Sequence, residues 1–332
     1  MNSYAETVRV GIAGATGYAG VELLRLLARH PAARIAAAMG SPGSQPRRVP
    51  ALARVWDAPV DGLDVEALAD ATDAVFLALP DEASAEIAPA LVGRGKRVFD
   101  LSGAFRLRNA DERRRWYPHT PEPPASVVYG LAERYRGALG GSSLVACAGC
   151  YPTAAILALQ PLVHAGLLAA PIIIDAKSGV SGAGKTPSER THFSECHGSL
   201  SAYGVFSHRH AAEIEQEVGV PVTFVPHLVP IDRGILETIY AQLRPGVTGS
   251  DISAAYEAAY GDSPFVRLTG ADLPEIKHVA HTNFCDIGWR VNDARRQLVI
   301  VSCLDNLVKG AAGQAVQNFN IAFGFDERTG LN

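Results

Sequence analysis

The opening of the chain alternates short apolar runs, which suit buried strands, with amphipathic runs that suit helices, and a glycine cluster joins the first of each. Residues 8–13 read as a strand, Gly11 within it stands with Gly14 and Gly17 in G-x-x-G-x-x-G spacing, Gly20 follows, and residues 21–28 repeat leucines with helical period. His30-Pro31 ends that helix, because the proline ring cannot continue it. Further strands are expected over 34–39, 73–79 (closed by Pro80) and 97–101, with a helix from 82 to 92 before the last. Such alternation predicts an α/β fold: a Rossmann-type, doubly wound parallel sheet with crossover helices.

After about residue 148 the rhythm changes. A helix is expected from Tyr151 to about Ala165, with Gly166 as its stop, then a strand over 172–176. The stretch 178–212 is polar and aperiodic. Strand-like runs return at 222–225, 234–243, 283–291 and 297–303, several with period-two alternation, and residues 307–323 read as a helix. This predicts an α+β catalytic and oligomerisation domain with a mixed sheet over 149–304. The nucleotide-binding domain would occupy 1–148, completed by a C-terminal helical segment, 305–332.

Bulk properties exclude several classes. The chain has 332 residues, 48% hydrophobic and 19% charged, which is globular rather than disordered. Net charge is −4 and arginines cluster only at 113–115, so no nucleic-acid partner is expected. Residues 1–6 lack a signal-peptide order, and no apolar run reaches the roughly 18 residues needed to span a bilayer. Five cysteines, an odd number, suit a reducing compartment. The expectation is a soluble cytoplasmic protein with no membrane partner.

Glycines at a strand-to-helix junction let the backbone approach a pyrophosphate, and the helix N-terminus favours its charge. Gly11, Gly14, Thr16 and Gly17 are therefore candidate cofactor contacts. An NAD site would place an acid at the end of the second strand. Here the chain reads Met39-Gly40-Ser41-Pro42-Gly43, with Arg47-Arg48 just beyond. A hydroxyl and two guanidiniums suit a 2′-phosphate, so NADPH/NADP+ is the expected cofactor.

Gly179-Val180-Ser181-Gly182-Ala183-Gly184-Lys185-Thr186 matches G-x-x-x-x-G-K-[ST], a phosphate-loop pattern. Pro187 follows at once, and the next residues lack the apolar period of the helix that such a loop must open. A triphosphate site is not expected. The loop's N–H groups could still hold an anionic substrate.

Cys150 lies in Ala148-Gly149-Cys150-Tyr151-Pro152-Thr153, at the expected start of a helix whose dipole would favour the thiolate. A thiolate beside a hydride carrier implies an acyl-thioester that is reduced, or formed by oxidation. Cys147-Ala148-Gly149-Cys150 reads as C-x-x-C, but no second pair completes a zinc site and Cys196-His197 is isolated, so no metal is expected. Cys147, Cys285 and Cys303 fall in strand-like apolar runs and read as core. For the general acid–base, His227 between Pro226 and Pro230 is the expected residue, held rigidly at a strand end. His208-Arg209-His210 is a second candidate cluster, suited to an anionic substrate.

With these residues in view, the chain resembles the N-acetyl-gamma-glutamyl-phosphate reductases of arginine biosynthesis, relatives of aspartate-semialdehyde dehydrogenase, nearly end to end. The resemblance rests on residues 11–20, 100–106, Gly149-Cys150-Tyr151-Pro152-Thr153, 177–184, 203–210, 226–234 and 314–318. It departs at Ala148, at Gly103-Ala104 and at Lys185, where proline, Ala-Asp and arginine are usual. The resemblance implies reduction of N-acetyl-L-glutamyl 5-phosphate to the 5-semialdehyde, with phosphate released, through a thioester on Cys150 and protons moved by His227. It further implies that Leu79, Pro80, Ser181, Gly182 and Asn318 face the cofactor, with Ser181 and Gly182 also able to bind substrate. Ser102, Arg106, Tyr203, His208, His210 and Arg233 would hold the acyl-phosphate substrate. A homodimer or homotetramer built through the second domain's sheet is implied as well. Two other readings stay open: a sister acyl-phosphate reductase acting on an aspartyl or aminoadipyl substrate, and a nucleotide-binding regulator without chemistry.

Overall fold

The computed structural model describes residues 7–124 and 126–331; the expectation drawn from the residue order of 1–6 lies outside them. Two compact units emerge, one running to Gly149 and resuming at Ala311, the other Cys150–Gly310.

The first unit holds a six-stranded sheet of β1 (Val8–Ala13), β2 (Ala33–Met39), β3 (Ala74–Leu77), β4 (Arg97–Asp100), β5 (Val127–Gly130) and β6 (Leu144–Cys147). Its order is β2-β1-β3-β4-β6-β5 and every pairing is parallel. β3 and β6 are buried at all four positions, as expected of parallel strands covered on both faces. Winding reverses between β1 and β3, so a crevice opens at the C-terminal ends of those two strands, where ligands of such sheets bind. The Gly313–Ala322 helix seals the core, its Phe319 ring lying 5.7 Å from Phe76 and 5.8 Å from Phe99. The parallel α/β reading is met.

In the second unit β7 (Leu168–Gly179), β8 (Ser201–Ala202), β9 (Thr223–Val229), β10 (Ile235–Leu243), β11 (Val266–Gly270), β12 (Cys285–Asn292) and β13 (Gln297–Leu304) form a mixed sheet, ordered β11-β12-β13-β10-β7-β9-β8. The Cys150–His164 helix lies on one face. Ser302 Oγ donates to the Ala154 carbonyl at 3.1 Å, and the hydroxyls of Tyr256 and Tyr260 reach Ala158 and Leu157. Along β9, Phe224, Pro226 and Leu228 are buried and alternate with Thr223, Val225, His227 and Val229. That alternation assigns each β9 side chain to a face.

Two expectations change. The aperiodic stretch 178–212 holds a 3-10 turn (Val180–Ala183), a short helix (Phe193–Cys196), β8 and the start of the His210–Val218 helix. These are held by local polar bonds such as the Ser188–Thr191 capping box, which leave no apolar period. The segment 307–323 opens as a π-helical turn, Val308–Ala312, because Asp305 accepts from the N–H of Leu307 and Val308 while its carbonyl takes Gly310 N–H. No helix among the described residues is long and apolar enough to cross a membrane.

Candidate active site

The glycine loop occupies the β1–β3 crevice. Gly14 has φ +84°, and a Cβ there would stand 2.1 Å from the Ala78 carbonyl oxygen and 3.3 Å from Leu79 Cδ2. Glycine thus lets the loop close against the end of β3, beside Leu79 and Pro80. A Cβ on Gly17 would meet only the Gly14 carbonyl, at 3.5 Å, so the approach to the helix start is open. The Tyr18–Leu27 helix has no side-chain cap and no acid in its first turn, which leaves its N-terminus suited to a pyrophosphate. After β2, Gly40 lies against Thr16, and Ser41, Arg47 and Arg48 are exposed; Arg47 N–H is tied to the Val60 carbonyl. The loop and helix start fit a dinucleotide.

On the same C-terminal edge, just after β4, Ser102 gives its N–H and hydroxyl to Asp100, which is fully buried and whose carboxyl burial pushes up. Arg106 donates from Nε to the Cys147 carbonyl at 2.8 Å and from Nη2 to the Leu101 carbonyl at 2.7 Å, joining the ends of β4 and β6. Asn318, fully buried, donates to the Gly130 carbonyl at 2.9 Å, while its Oδ1 accepts nothing. Burial pushes the Cys147 thiol up to about 12, so it stays protonated.

Cys150 is the first residue of the 15-residue helix Cys150–His164, which has no acid in its first turn. It is partly exposed, whereas Cys147, Cys285 and Cys303 are buried. A thiol at this helix end feels the positive pole, the setting that favours a thiolate. The next side chain, Tyr151, gathers the surroundings. Its hydroxyl lies 3.4 Å from that of Tyr203 and donates to the His227 carbonyl at 3.2 Å. Its ring is met edge-on by His208 at 6.0 Å, His210 at 5.9 Å and Phe224 at 5.3 Å. Burial pushes both phenols up, so neither ionises at neutral pH.

His208 accepts the His210 N–H at its Nδ1, 3.2 Å, which implies a proton on Nε2. Burial, helped by Arg209, lowers its pKa to about 4, so the ring is neutral at neutral pH. Arg190, which no sequence signal singled out, lies with its guanidinium 5.3 Å over the Tyr203 ring. It belongs to a three-residue turn, too short for any periodicity.

His227 does not join this group. β9 alternation turns its ring to the face opposite Phe224, away from the Cys150–His164 helix. There its Nδ1 stands 3.2 Å from an Asp175 carboxylate oxygen and 3.3 Å from the Ala176 carbonyl, and Lys177 Nζ is 2.6 Å from Asp175. This placement of the ring does not support the expectation that His227 serves the cysteine. Two prolines hold its backbone rigidly, but on a strand neighbouring side chains point to opposite faces.

Arg233 pairs with the fully buried Asp305 at 3.1 Å. Ser181 accepts from Asn306 at 2.9 Å, and the backbone of 179–181 is bonded to 231–234. A Cβ on Gly182 would stand 2.7 Å from Ser178 Oγ. The loop becomes a 3-10 turn, Val180–Ala183, and the next α-helix among the described residues is only the four-residue Phe193–Cys196.

Residues 9–142 match the family described as semialdehyde dehydrogenase, NAD binding domain, and residues 150–306 the semialdehyde dehydrogenase dimerisation domain. The chain is 47% identical over 337 residues to the N-acetyl-gamma-glutamyl-phosphate reductase of Syntrophobacter fumaroxidans, with 98% of each chain covered. It is 45% identical over 338 residues to that of Brevibacillus brevis, again with 98% of each covered. Among solved structures it resembles aspartate semialdehyde dehydrogenase II from Vibrio cholerae, with TM-score 0.73, 18% identity, and 96% of this chain and 99% of that one covered. It also resembles aspartate semialdehyde dehydrogenase with NADP from Candida albicans, with TM-score 0.68, 17% identity, and 95% and 98% covered. At those identities the structural likeness speaks to the fold alone.

Proposed function

The chain belongs to the semialdehyde dehydrogenase family, among its N-acetyl-gamma-glutamyl-phosphate reductases, and from that premise we propose that Cys150 carries the acyl group, His208 meets its oxygen, and the reductant at the glycine loop is NADPH. The reaction is reduction of N-acetyl-L-glutamyl 5-phosphate to N-acetyl-L-glutamate 5-semialdehyde with release of phosphate, a step of arginine biosynthesis.

The Cys150 thiolate attacks the acyl carbon, the bond from that carbon to the phosphate oxygen breaks, and a thioester remains. Bound dinucleotide supplies a hydride to the same carbon. The carbon–sulfur bond then breaks, its electron pair returns to Cys150, and the one proton consumed ends on phosphate. No proton need leave the cysteine if it starts as the thiolate. What the site must supply is a donor to the oxygen where negative charge develops. Neutral His208, with its proton on Nε2, is that donor, and its low pKa keeps it so. Tyr203 and His210 hold the substrate's anionic groups, and Arg106 ties the ends of β4 and β6. Ser102 and Arg233 act by fixing Asp100 and Asp305, and Ser181 and Gly182 by shaping the loop after β7. Asn318, with a buried oxygen unused, suits the amide of a nicotinamide. Ser41, Arg47 and Arg48 favour the 2′-phosphate. The protein works in the cytoplasm as a homodimer or homotetramer assembled through the mixed sheet.

The observation carrying this reading is Cys150 as the first residue of an acid-free helix start. The test is phosphate-dependent reduction of NADP+ with N-acetylglutamate 5-semialdehyde, run beside aspartate semialdehyde. Activity is expected on the acetylated substrate alone and should vanish in Cys150→Ser. Activity only on aspartate semialdehyde would move the protein to a sister enzyme, and turnover by Cys150→Ser would sink the thioester.

A further inference from the structure

The loop after β7 and the loop after β9 are zipped together. The N–H groups of Gly179, Val180 and Ser181 donate to the carbonyls of Gly234, Ile231 and Asp232. Asn306, 2% exposed, closes this junction from a third segment. Its Oδ1 accepts the Gly234 N–H at 2.7 Å, and its Nδ2 donates to Ser181 Oγ at 2.9 Å. A side-chain amide can ordinarily be turned end for end, but a backbone N–H can only donate. The oxygen must therefore face Gly234 and the nitrogen must face Ser181. Ser181 Oγ is thus an acceptor toward Asn306, and its own proton points elsewhere. Among the described residues no acceptor takes that proton. Ser178 differs, since its hydroxyl donates to the Gly179 carbonyl at 3.0 Å. The Asn306 backbone is pinned as well: the carboxylate of the preceding Asp305 holds Arg233 and the N–H groups of His281, Leu307 and Val308.

We propose that Asn306 is a positioning residue that keeps the Ser181 hydroxyl proton turned outward, as a donor to a phosphate oxygen bound at this loop. The inference rests on the reading that the loop after β7 belongs to the reductase site, and adds which buried group fixes its donor sense. Ser181 is half-buried and Gly182 beside it is exposed, so the hydroxyl borders open space. An ionised phosphate oxygen only accepts hydrogen bonds. A hydroxyl whose lone pair is already engaged by Asn306 suits it, whereas one turned inward would present lone pairs to it. The amide also belongs to the segment that borders the cysteine. Four residues on, Gly310 lies against Cys150, and its N–H is held by the Asp305 carbonyl at 2.9 Å. Two phosphate groups take part in the proposed reaction, that of the acyl phosphate and the pyrophosphate of the dinucleotide. Their chemistry at this hydroxyl is the same, and binding measurements separate them.

The test is a double-mutant cycle on the full chain. Asn306→Asp keeps the shape and the acceptor for Gly234, but its second oxygen cannot donate, so the Ser181 proton must turn inward. Two quantities are read: KM for inorganic phosphate in phosphate-dependent reduction of NADP+, and the calorimetric Kd for NADP+. For the ligand that the hydroxyl serves, the value should rise at least about ten-fold, the usual effect of losing a hydrogen bond to a charged group, with kcat at saturation changing less. A rise for phosphate assigns the donor to the substrate's phosphate, and a rise for NADP+ assigns it to the dinucleotide. Ser181→Ala should weaken the same ligand to a similar extent. In that background Asn306→Asp should have several-fold less effect than in wild type, because no hydroxyl remains to turn. An undiminished loss there would show that the new charge or a distorted junction acts by itself, and would overturn the positioning role. Unchanged binding of both ligands in Ser181→Ala would overturn the inference even where circular dichroism finds Asn306→Asp unfolded. A wild type inactive on both semialdehydes would overturn the proposed function instead, and the cycle is then read from calorimetric binding of inorganic phosphate and NADP+.

Discussion

A methyl group on Gly310 would stand 2.8 Å from Cβ of Cys150 and 3.2 Å from its Cα. Real Cβ atoms do not approach so closely, and neither atom belongs to a flexible side-chain end. The π-helical turn Val308–Ala312 brings the backbone of Gly310 against Cys150, the proposed nucleophile, and a hydrogen there is what leaves that residue in place. Gly310→Ala should therefore displace the thiol by some tenths of an ångström and lower kcat by about 10- to 100-fold, with a smaller change in KM. Steady-state kinetics and the alkylation rate of Cys150 check this. Wild-type kcat in Gly310→Ala would mean that the helix start yields freely.

The faces of β9 separate two histidines that sequence reasoning ranked the other way. His208→Ala should lose about 10²–10³-fold in kcat, the usual cost of removing an oxyanion donor. His227→Gln should stay within about ten-fold, provided the assembled form is assayed. Equal losses, or the reverse order, would return the role to His227.

The same burial makes His208 a source of acid sensitivity. Its pKa falls from the ordinary value to about 4 on folding, so between those values the unfolded chain binds more protons. Its contribution is present above about pH 6.5 and is lost as pH falls through 4, worth on the order of 3 kcal/mol before solvent screening reduces it. Denaturant unfolding at stepped pH should show a shallower acid loss in His208→Phe. The acid limb of kcat should also lie near 4 rather than 6.5.

Glu237 on β10 is fully buried, and neither carboxylate oxygen has a hydrogen-bond partner. Burial raises its pKa well above the usual carboxylate value. The group thus favours folding only below the unfolded pKa, and that contribution is lost as pH rises toward the folded value. Glu237→Met keeps the volume without the carboxyl, and at neutral pH should stabilise by about 1–3 kcal/mol, with a smaller gain in acid. Unfolding at matched protein concentration tests this. Destabilisation at neutral pH would mean that the carboxyl is satisfied after all.

Arg47 and Arg48 stand exposed beyond β2. Replacing both with Ala should weaken NADPH by about 10- to 100-fold and leave NADH nearly unchanged, since only the former carries a 2′-phosphate. Calorimetric titration with both dinucleotides decides it, and equal losses would put the phosphate elsewhere.

The sequence by itself determined whatever is local. A strand, spaced glycines and a helix announce the crevice loop, and a cysteine opening an apolar run announces a helix that begins at that residue, because each spans one turn of backbone. β5 and the Ala132–Leu139 helix carry too few residues for a period to show. Gly249–Tyr260, though longer, is alanine-rich and weakly patterned, and went unmarked. The tertiary structure alone decided which distant groups gather around Tyr151, the residue after the cysteine. His227 looked right for its prolines, yet a strand alternates with period two, and the register of β9 against β7 sends its ring to Asp175. His208 and Arg190 lie in a stretch organised by side-chain bonds rather than hydrophobic repeat, so only folding brings them to Tyr151 and Tyr203. Glu237 reads as an ordinary polar residue in a strand, and only the helix laid over that face makes it a buried acid.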